Sequence, residues 1–242
     1  MYNEAMPNKQ KHRGRHPRDN VLFAEKQFPR LREAVVDLSH LLSRGYNDNA
    51  ANKLVGDRYQ LAARQRALLL RAACPKETSK TRQSKRIEKI ENSTLCLDGY
   101  NILITVETML SGGVLLRGAD GCIRDLASVH GSYRKVEETI PAIKLIGRHL
   151  QETTFKKMCW YFDAPVSNSG RLAALLREMA EEHGWSWEVE VVRSPDNVLK
   201  ASKDVITTSD GIILDGCVHW FDLLTLIYSE LPAKPYILDF SK

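Results

Sequence analysis

Three apolar runs in this 242-residue chain stop on an aspartate: LCLDGYN at Asp98, CWYFDAP at Asp163 and ITTSDG at Asp210. A fourth acid, Asp196, follows the run WSWEVEVVRSPD. Asn101 stands three residues after Asp98, about one helical turn on, and offers a neutral oxygen or an amide donor. Carboxylates brought together repel one another and resist desolvation unless positive charge neutralises them. A hard divalent cation with oxygen ligands, Mg²⁺ or Mn²⁺, does this. It orients a water, lowers its pKa and stabilises charge on phosphate oxygens, which is the chemistry of phosphodiester hydrolysis. The competing use of a strand-end aspartate is structural: it caps the next helix by accepting from the orphan N–H groups.

These acids meet only if the runs are strands of one parallel sheet. From Thr94 onward short apolar runs alternate with helical segments. TLCLDGYNILI, KMCWYFDAP, WSWEVEVVRSPD and VITTSDGIILD read as strands; in the third, Trp185, Trp187, Val189 and Val191 alternate. NSGRLAALLREMAEEHG is a helix between the second and third, and a short helix precedes the fourth. CVHWFDLLTLIYSEL is an apolar closing helix, and PYILDF is an edge strand. The alternation predicts an α/β domain over residues 94–242, a parallel sheet flanked by helices. Ligands of such sheets bind at the carboxyl ends of the strands.

Ahead of this domain the pattern is helical. Residues 1–18 are rich in Lys, Arg, His and Pro and predict a flexible basic arm. Residues 19–75 predict a helical hairpin. Its first helix is capped by Asp19, tilted or restarted at Pro29 and stopped by Gly45, with Leu31, Val35, Leu38, Leu41 and Leu42 at helical spacing. NDNAANKLVGDRYQLAARQRALLLRAAC forms the second and ends at Pro75. Residues 76–93 are polar, with charges of both signs, and predict a linker in preference to a solvated helix whose only apolar marks are Ile87 and Ile90.

Charge divides along the same boundary. Residues 1–90 carry 20 Lys and Arg against 9 Asp and Glu, and residues 91–242 carry 15 against 21, so the net +5 is +11 followed by −6. A basic module implies an anionic partner. Arg58, Arg64, Arg66 and Arg71 interleave with Tyr59 and Gln60 and are candidates to grip an RNA backbone. The alternative is that their stems cover apolar surface. No stretch reaches the length of a membrane-spanning helix, and the basic start has no apolar signal region, which points to the cytoplasm and away from a membrane partner. None of the five cysteines is spaced as CxxC, which argues for small reduced core residues.

The segment between the first two strands holds further candidates. Its acids include Asp120, Asp125, Glu137 and Glu138. Asp125 is a metal ligand or the partner of Arg124 or Arg134. His130 is a possible general acid or base, or a structural hydrogen-bonder. LSGGVLLRGADG has four glycines but no Lys-Ser/Thr after them, so it reads as a hairpin or turn rather than a phosphate loop.

DGYN after a buried strand, the YFDA strand end, and Asp196 followed by TTSDG resemble the PIN-like nuclease superfamily, and within it the NYN branch. The resemblance covers about residues 94–225. It implies a parallel sheet flanked by helices, three or four acids binding Mg²⁺ or Mn²⁺, and cleavage of RNA. By it Asp98 is the central metal ligand with Asn101 beside it; Asp196 and Asp210 complete the ligand set, and Asp163 matches less closely. The resemblance implies one more acid after the first strand, for which Asp120, Asp125, Glu137 and Glu138 are the candidates, but the segment 118–138 matches no part of the superfamily pattern. The whole chain, in LVGDRYQLAARQR, LDGYN, LSGG and DGCIRDLASVHGSYR, also resembles an uncharacterised prokaryotic family with a helical N-terminal module and a PIN-like module. The expectation is a metal-dependent ribonuclease. The alternatives are a non-catalytic RNA-binding protein with a degenerate PIN-like fold, and a protein-interaction module.

Overall fold

The computed structural model describes residues 12–89, 92–127, 131–151 and 155–241. The N-terminal part is helical: α1 (Asp19–Leu22), α2 (Phe28–Ser43), α3 (Asp48–Arg58), α4 (Ala63–Ala72) and α5 (Lys76–Ser84). There follow β1 (Arg86–Ile87), β2 (Thr94–Asp98), α6 (Gly99–Leu110), β3 (Leu115–Arg117), β4 (Ile123–Asp125) and α7 (Thr139–Gln151). The chain continues through β5 (Lys157–Asp163), α8 (Ser169–His183), β6 (Trp187–Val192), α9 (Pro195–Ala201) and β7 (Val205–Thr207). It ends with α10 (Gly211–Gly216), β8 (His219–Phe221), α11 (Leu223–Glu230) and β9 (Ile237–Asp239).

Six strands form one parallel sheet in the order β1-β8-β7-β2-β5-β6. β2 lies inside it, buried from Leu95 to Asp98, with β5 on one side and β7 on the other. The chain runs outward from β2 through β5 to β6, then returns to add β7 and β8 on the far side. The strand order therefore reverses between β2 and β7. Helices α6, α7 and α8 pack on the sheet through Leu103, Ile146, Leu172 and Trp160, all fully buried. Gly99, the glycine of DGYN, is required by packing: a Cβ there would lie 2.5 Å from the Phe162 ring of β5.

The helical module is richer than a hairpin. Pro29 sits in the first turn of α2 and restarts the helix after α1, while Asn47 accepts from the Asn49 and Ala50 N–H groups to cap α3. The long second helix expected up to Pro75 is instead two helices, α3 and α4. The break is at Gln60, which adopts a left-handed φ of 47° and lets the Leu61 N–H reach the Gly56 carbonyl at 2.8 Å. That closure normally uses glycine, which is why the pattern gave no warning. α2, α3 and α4 pack together, and their core is shared with β3 and β9 through Leu31, Leu38, Leu68, Leu116 and Leu238.

Three further readings are corrected. The linker expected over 76–93 is the helix α5 followed by the short strand β1. Its anchor is one buried arginine, Arg82, rather than an apolar stripe, so hydrophobic periodicity does not reveal it. The closing helix begins as a strand: His219–Phe221 is β8, added at the side of β7. PYILDF does supply a strand, but β9 joins β3 in a separate three-stranded sheet, with order β4-β3-β9. The glycine-rich segment is a hairpin, β3 antiparallel to β4. All five cysteines are buried and free. Among the described residues no helix is long and apolar enough to cross a membrane.

The basic arm, expected to be flexible over 1–18, is docked in its described part. The Arg13 guanidinium donates to Glu107 of α6 at 2.8 Å and to the Arg134 carbonyl at 2.9 Å. Tyr133 and Thr139 each donate to the other Glu107 oxygen at 2.6 Å. The Arg13 and Glu107 side chains are 5% and 0% exposed, so removing the arginine strands a buried carboxylate. Arg13→Ala therefore costs about 3–5 kcal/mol. The expected result is a fall of at least about 6 °C in Tm by calorimetry; a change within a degree contradicts a docked arm.

Candidate active site

The reversal of strand order between β2 and β7 opens a crevice at the carboxyl ends of the strands, the usual ligand position in such sheets. Here it is part of a cleft of about 750 Å³. Asp98, Asn101, Asp163, Asp196 and Asp210 line it, and Asp125 joins them from β4. The register explains the meeting: Asp98 is level with Tyr161 of β5, which places Asp163 two residues further along, and Leu97 is level with Thr207, which places Thr208 beside Asp98. The opposite wall comes from the helical module, including Leu70, Arg71 and Pro75.

The strand-end acids do different things. Asp210 accepts from the Ile212 N–H at 2.7 Å and caps α10. Asp222, at the end of β8, caps α11 by accepting from Thr225 at 3.0 Å and lies 3.5 Å from Arg86. Asp98 occupies the same position ahead of α6 yet makes no cap bond. Its Oδ2 accepts from the Thr208 hydroxyl at 2.7 Å. Burial pushes the Asp98 carboxyl up to about 7, and Asp210, Asp196 and Asp163 push the same way against the Thr208 bond. Asp163 is raised by burial and by Asp196.

The TTSDG turn is tied to α6. The Asn101 side-chain oxygen accepts from the Ser209 N–H at 2.8 Å and its hydroxyl at 3.0 Å. The Asp210 N–H donates to Thr208 Oγ1 at 3.0 Å, and that hydroxyl in turn donates to Asp98. Arginines hold the turn from its other side. Arg124 donates to the Ser209 carbonyl at 2.8 Å, and Arg82 to the Gly211 carbonyl at 3.2 Å. Both bond Asp120, fully buried between them, at 2.6–2.7 Å. Burial alone would raise the Asp120 carboxyl; the two arginines overcome this and hold it below its ordinary range. Sequence does not single out Thr208, Ser209 and Arg82, and offers Arg124 only as a partner of Asp125. The one available signal was the pair of small hydroxyl residues between the strand and Asp210.

The remaining candidates separate clearly. Asp120 is occupied by arginines and is not free to ligate. Asp125 accepts from Thr105 at 2.6 Å and lies 3.8 Å from Arg71, which replaces the expected partners Arg124 and Arg134. Burial raises it, against Arg71 and Thr105. Glu137 and Glu138 face His12 at 3.7 and 2.7 Å. His130 lies outside the described residues. Of the four arginines proposed for RNA, Arg71 lines the cleft and donates to the Asp125 and Ala127 carbonyls. Arg64 is bound to Asp19 and also donates to the Leu126 carbonyl at 3.4 Å, whereas Arg66 is bound within the module to Asp57, the Leu61 carbonyl and the Lys53 carbonyl. Arg58 remains 72% exposed, 3.6 Å from Asp37 and away from the cleft lining.

The chain belongs to the family described as a domain of unknown function, DUF5616, which matches residues 87–226. Residues 30–85 match a second family, described as a protein of unknown function, DUF434. The two matches meet at Arg86, the first residue of β1, so α5 goes with the helical module. The chain is similar to the uncharacterised protein MJ0935 of Methanocaldococcus jannaschii, at 32% identity over 208 residues, covering 84% of this chain and 99% of the relative. No solved structure matches.

Among the described residues no group of three or more His, Cys, Asp or Glu side chains stands in metal-holding geometry. The acids share a cleft and a field without meeting at one point, as uncompensated like charges do. Their donor atoms are all oxygen, which suits a hard cation. A carboxyl whose pKa is raised by folding supports the fold fully below its unfolded value and loses that support as pH rises through the folded one. For Asp98 that window runs from the ordinary 3.8 to about 7. In chelator, Asp98→Asn therefore has a Tm several degrees above the wild type at pH 8 and equal to it near pH 4; equal values at both contradict this environment for Asp98.

Proposed function

We propose that the chain is a metal-dependent ribonuclease, with Asp98, Asp196 and Asp210 holding Mg²⁺ or Mn²⁺ and Asp163 or Asp125 completing the site. One observation carries the reading. Asp98 is a buried strand-end carboxyl that caps nothing, and three further acids raise its pKa from the same cleft. Once ionised, a carboxyl so placed is costly to the fold unless a cation is its partner. The motif resemblance to PIN-like, NYN-type nucleases supports the same assignment.

When bound, the metal activates water and neutralises charge on the phosphate. Thr208 fixes the Asp98 carboxyl by donating to one oxygen and leaves the other for a ligand. Asn101 has its oxygen taken by Ser209, so its amide N–H groups are the atoms left to orient a phosphate or water. Arg71, 36% exposed on the facing wall, places positive charge where a phosphodiester enters. The Arg82–Asp120–Arg124 set keeps the Asp210 turn in place.

The test is release of shortened single-stranded RNA with Mn²⁺, by protein freed of contaminating nuclease. Charge stabilisation by a metal is worth several kcal/mol, so Asp98→Asn is expected to lose at least about a hundredfold in rate. Full activity in that variant overturns the proposal. RNA bound with steep salt dependence but uncleaved with any divalent ion places the chain with non-catalytic RNA-binding proteins.

A further inference from the structure

The acidic cleft does not end at its carboxylates. Ala127 on its wall is also on the wall of a second cavity of about 360 Å³, formed against the N-terminal segment. Among the described residues, every titratable side chain lining that cavity is basic: His12, Arg13, Arg15, His16 and Arg64. Arg13 and Arg64 are fixed by Glu107 at 2.8 Å and Asp19 at 2.9 Å, and His12 by Glu138 at 2.7 Å. Arg15 has no acidic partner among the described residues. It donates to the Gly112 carbonyl at 3.3 Å and the Asn20 side chain at 3.0 Å, which leaves guanidinium N–H groups over. His16 Nδ1 accepts from the Arg18 N–H at 3.3 Å, so its ring proton is on Nε2, a second donor.

A cation-seeking cleft and an anion-seeking cavity thus share a wall. Helix α4 links them: Arg64 lines one and Arg71 the other, two turns apart, or about 10 Å. We infer that the basic cavity is a phosphate subsite for a nucleic-acid strand whose neighbouring segment lies in the Asp98 cleft. This rests on the ribonuclease reading for the role of the cleft, and on the cavity's own lining for the anion. A phosphodiester strand suits both halves. It meets donors in the cavity and, in the cleft, acids that a cation neutralises. An acidic peptide leaving the cavity meets a lining of seven aspartates against three arginines, Arg71, Arg82 and Arg124. The inference also gives the docked N-terminal segment a task, since it supplies four of the five basic side chains.

The experiment uses the full chain carrying Asp98→Asn, so that bound RNA is not cut, and a labelled single-stranded RNA of about ten nucleotides. Arg15 is exposed, so its reversal leaves the core alone. Arg15→Glu is expected to weaken binding about tenfold and to lower the salt slope by about one. Lys203→Glu, an exposed reversal just ahead of β7 at the other end of the sheet, leaves binding unchanged. In the chain with Asp98 intact, Arg15→Glu raises KM and keeps kcat. Equal binding by Arg15→Glu overturns the subsite, whereas metal-dependent cleavage by the wild type leaves the ribonuclease reading standing. Arg15-dependent binding without any cleavage does the reverse. Poly-glutamate competing as well as RNA overturns the assignment to phosphate.

Discussion

Burial and like charge both act against ionisation of Asp98, and the parallel sheet makes this unavoidable. Each strand that ends in an acid delivers it to the same edge, and β2, inside the sheet, delivers its acid where water is scarcest. Three responses are open to such a group: a proton, an arginine or a cation. The described contacts supply a hydroxyl and three more acids but no arginine at Asp98. What surrounds it holds that unbalanced arrangement in place. Thr208 fixes its rotamer, Asn101 ties α6 to the next turn, and Gly99 lets α6 approach β5 closely enough for both.

Asp120 shows how the same chain treats a buried carboxylate meant only to stabilise. It is as deeply buried as Asp98 but lies between Arg82 and Arg124, with each of its oxygens bonded, and its pKa moves down instead of up. Desolvation acts on both residues, so the sign of the nearest charges decides the outcome. The two sites are also joined. The arginines that neutralise Asp120 reach on to the carbonyls of Ser209 and Gly211, so α5, the β3–β4 hairpin and the Asp210 turn form one rigid support. The helical module thereby becomes a wall of the cleft, which is where the basic and acidic halves of the chain meet.

What was legible in the sequence followed from strong local physics. Apolar runs ending on Asp98, Asp163 and Asp210 fixed the sheet edge, and the periodic leucines of α2 fixed its buried face. The same pattern at Asp222 belongs to a cap, so an apolar run before an aspartate does not by itself separate a ligand from a cap. Cap bonding does not separate them either, since Asp210 caps α10; the neighbouring charge does, Arg86 beside Asp222 and Asp98 near Asp210, and it is tertiary. Strands of three residues, such as β3 and β9, are too short for alternation to show. Helix α5 is held by one arginine and two distant acids, a bond set without periodicity. Arg64 and Arg66 looked like free basic surface because their partners, Asp19 and Asp57, lie on other elements.

The central claim is that the Asp98 cleft is a divalent-cation site. Its most direct test is anomalous diffraction from crystals of the full chain soaked in Mn²⁺. The account predicts a peak about 2.1 Å from an Asp98 carboxylate oxygen, with Asp196 and Asp210 turned toward it and the peak missing from Asp98→Asn. A fully soaked, well-ordered crystal with no peak in the cleft, and with the acids still apart, would contradict it.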